Sequence, residues 1–348
     1  MKAINYTLAL GLAVGVTLAN AGTVSAQTPE EFYTGKTVTI VVSAAAGTAS
    51  DSVARMFVDT LAKHFPGKPD MVVVNRPGAG GLTAASELMV SSDKDGTVIA
   101  LLQRNNLYIP LVTGKEQQFD PRNVRWVGSI NGEEYPNNIL SFESSPAQSA
   151  AEIFEKPMVI GSTSFTHENR AIPAMMNKYL GAQFKIVPGY GGRGEVYLAM
   201  ERGEVDGWMQ GFNTLRTAAG GGDWVKAGRA KPIIVIGTER HPEWPDVPAL
   251  GEFVKDDEQR SVMNFFLAPL RAGRPFAVPG EVPEDRVAAI RQAFVDAFAD
   301  SEALTLLNAS LEANTTLITG EELEALVAQI YSVSDETLQG ARDILIEK

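Results

Sequence analysis

Two loops of small residues, each placed between an apolar strand and a run with helical periodicity, are the segments best suited to binding chemistry. The first covers residues 43–51 after the strand at 37–42, and the second covers residues 75–81 after the strand at 71–74. The start of a helix exposes unpaired backbone N–H groups and carries a partial positive charge, so it stabilises an anion without Lys or Arg. The sequence therefore predicts a site for a small anion.

A third loop of this kind, residues 162–166, follows an apolar segment at 157–161 and precedes a helix-forming run at 167–180. Ser50 and Thr166 could simply cap the helices that follow them. The first and third loops also carry hydroxyl groups that could donate to a carboxylate oxygen, on Ser43, Thr48, Ser50, Ser162, Ser164 and Thr166.

Catalytic chemistry has little support in the sequence. There is no cysteine, and the three histidines, His64, His167 and His241, have no metal-binding spacing. Ser162 lies five residues before His167 across a loop and helix junction, which is not a nucleophile elbow. We therefore expect a binding protein rather than an enzyme, and no cofactor.

The elements that position these loops alternate between strand and helix, which predicts an α/β fold with mainly parallel sheets covered by helices. In such sheets ligands bind beyond the carboxyl ends of the strands. The loops at 43–50, 75–81 and 103–108 follow successive strands. We therefore expect them to converge on one edge of a sheet.

A second series of strands and helices starts near Ile139 and ends with the strand at 232–237, before a Pro-rich stretch. This change in pattern predicts two domains. The first contains residues 27–138 plus 239–348, the second contains residues 139–238, and the ligand cleft lies between them. Helices are predicted in the C-terminal part at 283–298, 302–308 and 321–346.

The N-terminal segment indicates export. A short apolar run at 8–18 leads to Val24 and Ala26, which suit signal peptidase, so residues 1–26 read as a cleaved signal peptide. A membrane anchor or a core helix is the alternative, but the run is short for a span of about 20 residues. Without the signal, 29 basic and 42 acidic residues give a formal charge of −13, which argues against nucleic acid as a partner.

The motifs together resemble the substrate-binding proteins of tripartite tricarboxylate transporters, the Bug proteins, from about Phe32 to Leu345. The resemblance implies a two-domain periplasmic-binding-protein clamshell of the type II kind, monomeric, that captures a small carboxylate and passes it to membrane permease subunits. It rests on Asn75-Arg76-Pro77-Gly78-Ala79-Gly80-Gly81, on Asp51 with Arg55, on Gly189-Tyr190-Gly191-Gly192, on Arg202-Gly203-Glu204-Val205-Asp206 and on Asp246-Val247-Pro248-Ala249-Leu250.

The chain departs from this family in both small-residue loops that flank the expected cleft. The first usually carries several glycines but reads Ala44-Ala45-Ala46-Gly47 here, and the loop at 162–166 carries hydroxyl groups and Phe165 instead of glycine. Dicarboxylates, tricarboxylates and aromatic carboxylates therefore all remain open. A sensory protein that presents its liganded form to a membrane sensor kinase is an alternative to a transport receptor.

Individual side chains have competing roles. Asp51 could accept a ligand ammonium, as the matching residue does in family members that bind amino acids, or complement its helix dipole. Arg76 and Arg104 are candidate partners for a second carboxylate, although for Arg76, directly before Pro77, holding its loop is the stronger alternative. Tyr190 and Phe165 could form walls of the cleft. The predicted ligand-binding set is Ser43, Ala44, Gly47, Thr48, Ser50, Asp51, Gly80, Gly81, Arg104, Ser162, Thr163, Ser164, Phe165, Thr166, Tyr190, Gly191, Gly192 and Gln210.

Overall fold

The structure, a computed structural model, describes residues 27–116, 118–132, 137–216, 220–311 and 314–346. The predicted signal peptide, residues 1–26, lies outside them. Within the described part, the chain forms two sheets flanked by helices, which confirms the predicted two-part α/β fold. None of the described helices combines the length and the apolar character needed to cross a membrane.

The described strands are β1 (Thr37–Val42), β2 (Asp70–Asn75), β3 (Val98–Leu101), β4 (Val124–Gly132), β5 (Asn137–Phe142), β6 (Met158–Ser162), β7 (Phe184–Pro188), β8 (Gly207–Gly211), β9 (Ala230–Ile236), β10 (Arg274–Pro279) and β11 (Thr315–Thr319). Sheet 1 has the order β11-β4-β10-β3-β1-β2, and sheet 2 has the order β7-β6-β8-β5-β9. The chain passes to sheet 2 between β4 and β5 and returns after β9.

The described α-helices are α1 (Pro29–Tyr33), α2 (Ala49–His64), α3 (Leu82–Val90), α4 (Ile109–Thr113), α5 (Glu168–Met175), α6 (Arg193–Glu201), α7 (Gly222–Lys226), α8 (Asp257–Leu267), α9 (Glu284–Ala299), α10 (Ser301–Leu311), α11 (Gly320–Tyr331) and α12 (Asp335–Ile346). The single helix predicted at 321–346 is therefore wrong, because the chain forms α11 and α12. Ser332 ends α11, and the hydroxyl of Ser334 accepts a hydrogen bond from the amide of Thr337 (3.2 Å) at the start of α12.

Both sheets are mixed rather than mainly parallel. In sheet 1, β2, β1 and β3 run parallel, whereas β10, β4 and β11 pair antiparallel. In sheet 2, β7, β6 and β8 run parallel, whereas β5 is antiparallel to both of its neighbours. Parallel pairs form where a helix reverses the chain between strands.

The parallel strands of sheet 1 align the loops that follow them. The amide of Ser43 donates to the carbonyl of Leu101 (3.0 Å), and the amide of Arg76 donates to the carbonyl of Val42 (2.8 Å). These bonds extend the ladder one residue beyond each strand. The loops after β1, β2 and β3 therefore leave sheet 1 at one edge.

Helix α12 connects the two sheets. The guanidinium of Arg342 donates to the carbonyl of Val112 in α4 (3.3 Å), while Arg170 of α5 donates to the carbonyl of Ile344 (3.0 Å). One apolar cluster accordingly contains side chains from α4, α5, α8 and α12. Helix α4 follows β3 of sheet 1 and α5 follows β6 of sheet 2, so α12 packs against helices that belong to both sheets. The predicted domain boundaries stay a prediction.

The core of sheet 1 contains a cluster of four phenylalanine rings, Phe57, Phe276, Phe294 and Phe298. Phe294 is fully buried, with its ring centroid 5.4 Å from Phe57 and 5.1 Å from Phe276. We expect Phe294→Ala to lower the free energy of unfolding by about 3–5 kcal/mol, because it leaves a cavity. Urea denaturation measures the change. The control Leu306→Ala, at a side chain that is 54% exposed, should change it by less than about 0.5 kcal/mol, and equal losses would contradict the role of the ring cluster.

Candidate functional site

The first loop leaves β1 and turns directly into α2. The hydroxyl of Thr48 accepts a hydrogen bond from the amide of Asp51 (3.4 Å) and donates to the carbonyl of Ala45 (2.8 Å). Thr48 is therefore the N-cap of α2, and the alternative that gave this role to Ser50 is wrong. Gly47 has a φ of +78°, a conformation that glycine adopts without strain, which allows the turn before the cap.

Asp51 holds this loop together from inside. Its carboxylate accepts hydrogen bonds from the amide of Gly47 (2.8 Å) and the side chain of Asn75 (3.0 Å), and it pairs with Arg55 (3.0 Å). Burial raises the pKa of Asp51, but these hydrogen bonds more than offset it, so the pKa lies below its ordinary value. Both carboxylate oxygens have partners, which favours the structural role over contact with a ligand ammonium.

The loop at 162–166 leaves β6 in sheet 2 and leads into α5. His167 caps α5 by accepting the amide of Asn169 at Nδ1 (3.4 Å), so the alternative that made Thr166 the N-cap is wrong. The side-chain oxygen of Asn169 lies 3.4 Å from both the amide and the hydroxyl of Thr163. Phe165 is 58% exposed. The loop is thus fixed at its start and end while its middle faces outward.

Both loops present backbone N–H groups that have no acceptor among the residues the structure describes. They belong to residues 44–46 in the first loop and to residues 164–166 in the loop of sheet 2. Backbone N–H groups are obligatory donors that need water or another acceptor. These six amides, three from each sheet, are therefore open to an anionic ligand.

The glycine-rich loop after β2 lies directly against the loop of sheet 2. The side chains of Asn105 and Asn106 donate to the carbonyl of Gly80 at 3.0 and 3.1 Å. A Cβ added to Gly80 would collide with the hydroxyl of Thr166, and one added to Gly81 would collide with Asn106. Both glycines have positive φ. Glycine therefore permits the close approach of the two loops.

Two polar contacts join the sheets at this point. The hydroxyl of Tyr108 donates to the carbonyl of Thr166 (3.2 Å). Arg104, in the loop after β3, contacts one carboxylate oxygen of Glu168 through Nε (2.7 Å) and Nη2 (2.5 Å). The Glu168 side chain is only 4% exposed. A nearly buried ion pair therefore connects sheet 1 to the first residue of α5.

The protonation of this cluster follows from its burial. Burial alone would raise the pKa of Glu168, but the charges of Arg104 and His167 lower it to about 2. Burial lowers the pKa of His167 below its ordinary value, so its imidazole is mostly neutral at pH 7. The Arg104 and Glu168 side chains are then the charged pair at neutral pH.

Apart from Oε2 of Glu168, which lies 3.2 Å from Nδ1 of His167, three buried polar atoms of uncharged side chains beside these loops have no hydrogen-bond partner among the described residues. They are Oδ1 of Asn105, Oδ1 of Asn106 and Oγ of Ser162, from residues that are at most 1% exposed. A buried polar group without a partner is unfavourable by about 1–3 kcal/mol. A bound molecule that reached these atoms would remove that penalty, with Ser162 available as a donor and the two Asn oxygens as acceptors.

The remaining predicted residues make local contacts. The amide of Gly191 donates to Glu195 (2.7 Å), Gly192 precedes α6 as its N-cap, and Tyr190 is half-buried beside Gly161. The side-chain oxygen of Gln210 accepts from the hydroxyl of Tyr197 (2.7 Å) and from Nε1 of Trp208 (3.0 Å). The contact of these residues with a ligand stays a prediction.

Sequence reasoning missed Tyr108, Glu168 and the two asparagines before Tyr108 as parts of this site. The run Arg104-Asn105-Asn106 directly after an apolar strand was an available signal, because three polar residues there must find partners at the sheet edge. Glu168 gave no such signal. An acidic residue in the first turn of a helix is ordinarily exposed.

The sequence and fold have clear relatives. A family described as the tripartite tricarboxylate transporter family receptor matches residues 53–302. A Cupriavidus necator protein described as UPF0065 protein in gbd 5'region is 24% identical over 260 residues, which are 72% of this chain and 75% of that protein.

Two solved structures share the fold. MatC from Rhodopseudomonas palustris with bound malate has a TM-score of 0.64 and 20% identity, over 89% of this chain and 99% of that one. Rpa4515 of R. palustris with adipate has a TM-score of 0.64 and 17% identity, over 88% and 97% of the two chains.

The ion pair between the sheets gives a pH-dependent prediction. Glu168→Gln should lower the melting temperature at pH 7, and the difference from wild type should shrink as the pH falls from 4.5 towards 2. The reason is that the folded pKa of Glu168, about 2, lies below the ordinary value of 4.5, so its stabilisation is present above 4.5 and lost on protonation. Thermal unfolding across this pH range measures the difference.

The matched control is Glu143→Gln, which breaks the exposed ion pair with Arg229 (2.7 Å). Exposed ion pairs contribute about 0–1 kcal/mol, so this variant should melt close to wild type at each pH. A deficit of Glu168→Gln that stayed constant from pH 7 to pH 2 would contradict the assignment.

Proposed function

Because the chain belongs to the tripartite tricarboxylate transporter receptor family, we propose that it captures a small organic carboxylate and delivers it to the membrane permease subunits of such a transporter. The match covers residues 53–302, most of both sheets. A receptor of this kind works in the periplasm as a monomer, after removal of residues 1–26. Binding and release, rather than catalysis, are its proposed activity.

One observation carries this proposal: each sheet has a loop with unpaired backbone amides, and both loops adjoin the same glycine-rich segment, where Asn75 donates to the carbonyl of Ala44 (3.0 Å) and Gly80 lies against Thr166. The first loop of sheet 1 and the loop of sheet 2 each precede the N-terminus of a helix, α2 and α5. A carboxylate between them would accept hydrogen bonds from residues 44–46 and 164–166 and interact favourably with both helix dipoles. We assign this position to the ligand carboxylate.

The binding free energy of a micromolar ligand requires hydrogen bonds from both loops. Micromolar affinity corresponds to about −8 kcal/mol, whereas each hydrogen bond to a charged group contributes about 1.5–3 kcal/mol. The donors of one loop alone would fall short after the loss of ligand freedom is subtracted. Binding should therefore be coupled to approach of the two halves, as in the hinge closure of periplasmic binding proteins.

The relatives support the substrate class. Malate and adipate, which are bound in two structures of the same fold, are small carboxylates. The departures in the loops argue for selectivity that belongs to this chain, since Ala44-Ala45-Ala46 narrows the first loop and Ser164 and Thr166 add hydroxyl donors. The ligand class proposed here is a small organic carboxylate.

A panel of mono-, di-, tri- and aromatic carboxylates with amino acids tests the proposed function. A ligand that binds only the native state raises the melting temperature as its concentration rises. We expect a saturable increase with at least one carboxylate group and none with neutral analogues. A folded, ligand-free sample that responded to no carboxylate would contradict the proposal.

The loop donors can be tested separately. We expect the double variant Ser164→Ala with Thr166→Ala to weaken binding of the best carboxylate about tenfold or more, while the ligand-free melting temperature falls by only about 2 °C. Isothermal calorimetry and thermal unfolding measure the two effects. The control Ser310→Ala, on the exposed face of α10, should change neither. Intact affinity with reduced stability would show that these hydroxyls serve only the fold.

A further inference from the structure

Arg274, the first residue of β10, is a cation that has no counter-ion in the part of the chain that the structure describes. Among the described residues, no carboxylate lies within 4.0 Å of its guanidinium, and no hydrogen bond or ring contact involves its side chain. The side chain is nevertheless half-buried. Removing a charge from water is unfavourable unless the charge is paired. An anion bound next to Arg274 would therefore be stabilising, and the described residues do not provide one.

The register of sheet 1 places Arg274 at the loop edge. Strand β10 runs antiparallel to β3, with Phe276 opposite Leu101 and the amide of Leu102 donating to the carbonyl of Pro275 (2.9 Å). Arg274 is therefore level with the residues that follow β3, next to Arg104. This is the edge at which the loops after β1, β2 and β3 emerge.

The side chain of Arg274 also lies on the face of β10 that packs against α2. Side chains alternate along a strand, so Arg274 shares a face with Phe276, whose ring lies 6.2 Å from Phe57 of α2. Helix α2 begins at the same edge with the open amides of the first loop before it. Arg274 thus stands on the side of the sheet where the proposed ligand carboxylate meets the N-terminus of α2.

The neighbouring charges leave Arg274 unbalanced. Glu168 is already engaged by Arg104 at 2.7 Å, and Asp51 is engaged by Arg55, Gly47 and Asn75. Burial and the nearby positive charge of Arg104 lower the pKa of Arg274 to about 10, so the guanidinium remains charged at neutral pH in an unfavourable setting. An anion beside Arg274 would offset both the burial of its charge and the repulsion from Arg104.

We propose that Arg274, beside Arg104, binds a second anionic group of the ligand, so that this receptor selects dicarboxylates over monocarboxylates of equal chain length. The inference rests on the proposed function, in which the first carboxylate occupies the loop amides. The planar fork of an arginine side chain matches a carboxylate with two parallel hydrogen bonds. Arg274 is a specificity residue in this arrangement, and the loop donors supply the binding common to both ligand types.

Calorimetric titration of wild type and Arg274→Gln with three matched pairs tests the proposal: succinate and butyrate, glutarate and pentanoate, adipate and hexanoate. Wild type should bind the dicarboxylate of at least one pair about tenfold or more tightly than its monocarboxylate. Arg274→Gln should weaken that dicarboxylate about tenfold while changing the monocarboxylate by less than about twofold. Arg274→Lys keeps the positive charge but loses the planar guanidinium, so its affinity for the dicarboxylate should lie between that of wild type and that of Arg274→Gln.

Arg271→Gln is the matched control, because it removes the same charge three residues away at an exposed position. It should leave both ligand types unchanged. The ligand-free melting temperature of Arg274→Gln should stay level or rise, since the substitution removes no described partner. A lower melting temperature, together with equal weakening of dicarboxylate and monocarboxylate binding, would assign Arg274 a structural role and overturn the proposal. Equal wild-type affinity for both members of every pair would also overturn it while leaving the proposed function intact, whereas absence of binding to every carboxylate would overturn both.

Discussion

The nearly buried ion pair between Arg104 and Glu168 is the contact on which the arrangement of the site depends. It joins the loop after β3 in sheet 1 to the first residue of α5, the helix that follows β6 of sheet 2. A buried carboxylate whose partner is removed is strongly destabilising, so the two elements are held in register. The hydrogen bond from Tyr108 to the carbonyl of Thr166 and the contact of Gly80 with the same residue complete this junction.

The electrostatics of the molecule are consistent with the proposed site, in which most donors are backbone amides. A formal charge of −12 over the full chain repels an anion at long range, so attraction must come from local groups in a recessed site. Asp51 shows how the charge of an acidic residue is balanced locally, because its carboxylate is engaged by Gly47, Asn75 and Arg55. Arg274 is the contrasting case, a cation at the same edge that no described carboxylate balances.

Much of this fold was predictable from local patterns. The strand at 37–42 matches β1 at both ends, and the strand and helix alternation indicated the α/β class and the loops at the edge of sheet 1. Local patterns could not show strand direction, because β10 and β11 pair antiparallel with strands distant in sequence. They also misplaced both N-caps by one or two residues, since Thr48, Ser50, Thr166 and His167 can all accept a backbone amide and only the path of the chain decides between them.

The loops that form the candidate site could be predicted from the sequence, but the side chains that contact one another there could not. Arg104 was predicted from its place after β3 as a partner for a ligand carboxylate, which stays a prediction, and in the structure it contacts Glu168. Glu168 and Tyr108 were missed because their roles arise only when two sheets meet. Arg274 was missed for the same reason: its position depends on the antiparallel register of β10 with β3, which no periodicity in the sequence encodes.

If one ligand is held by backbone amides of both sheets at once, hydrogen–deuterium exchange should show it directly. Exchange of peptides covering residues 43–50 and 162–168 should be followed at increasing concentrations of the carboxylate that binds most tightly. We expect both segments to become protected with the same concentration dependence, whereas α10 should not change. Protection of one segment alone, or of neither at saturating ligand, would contradict a ligand shared between the two sheets.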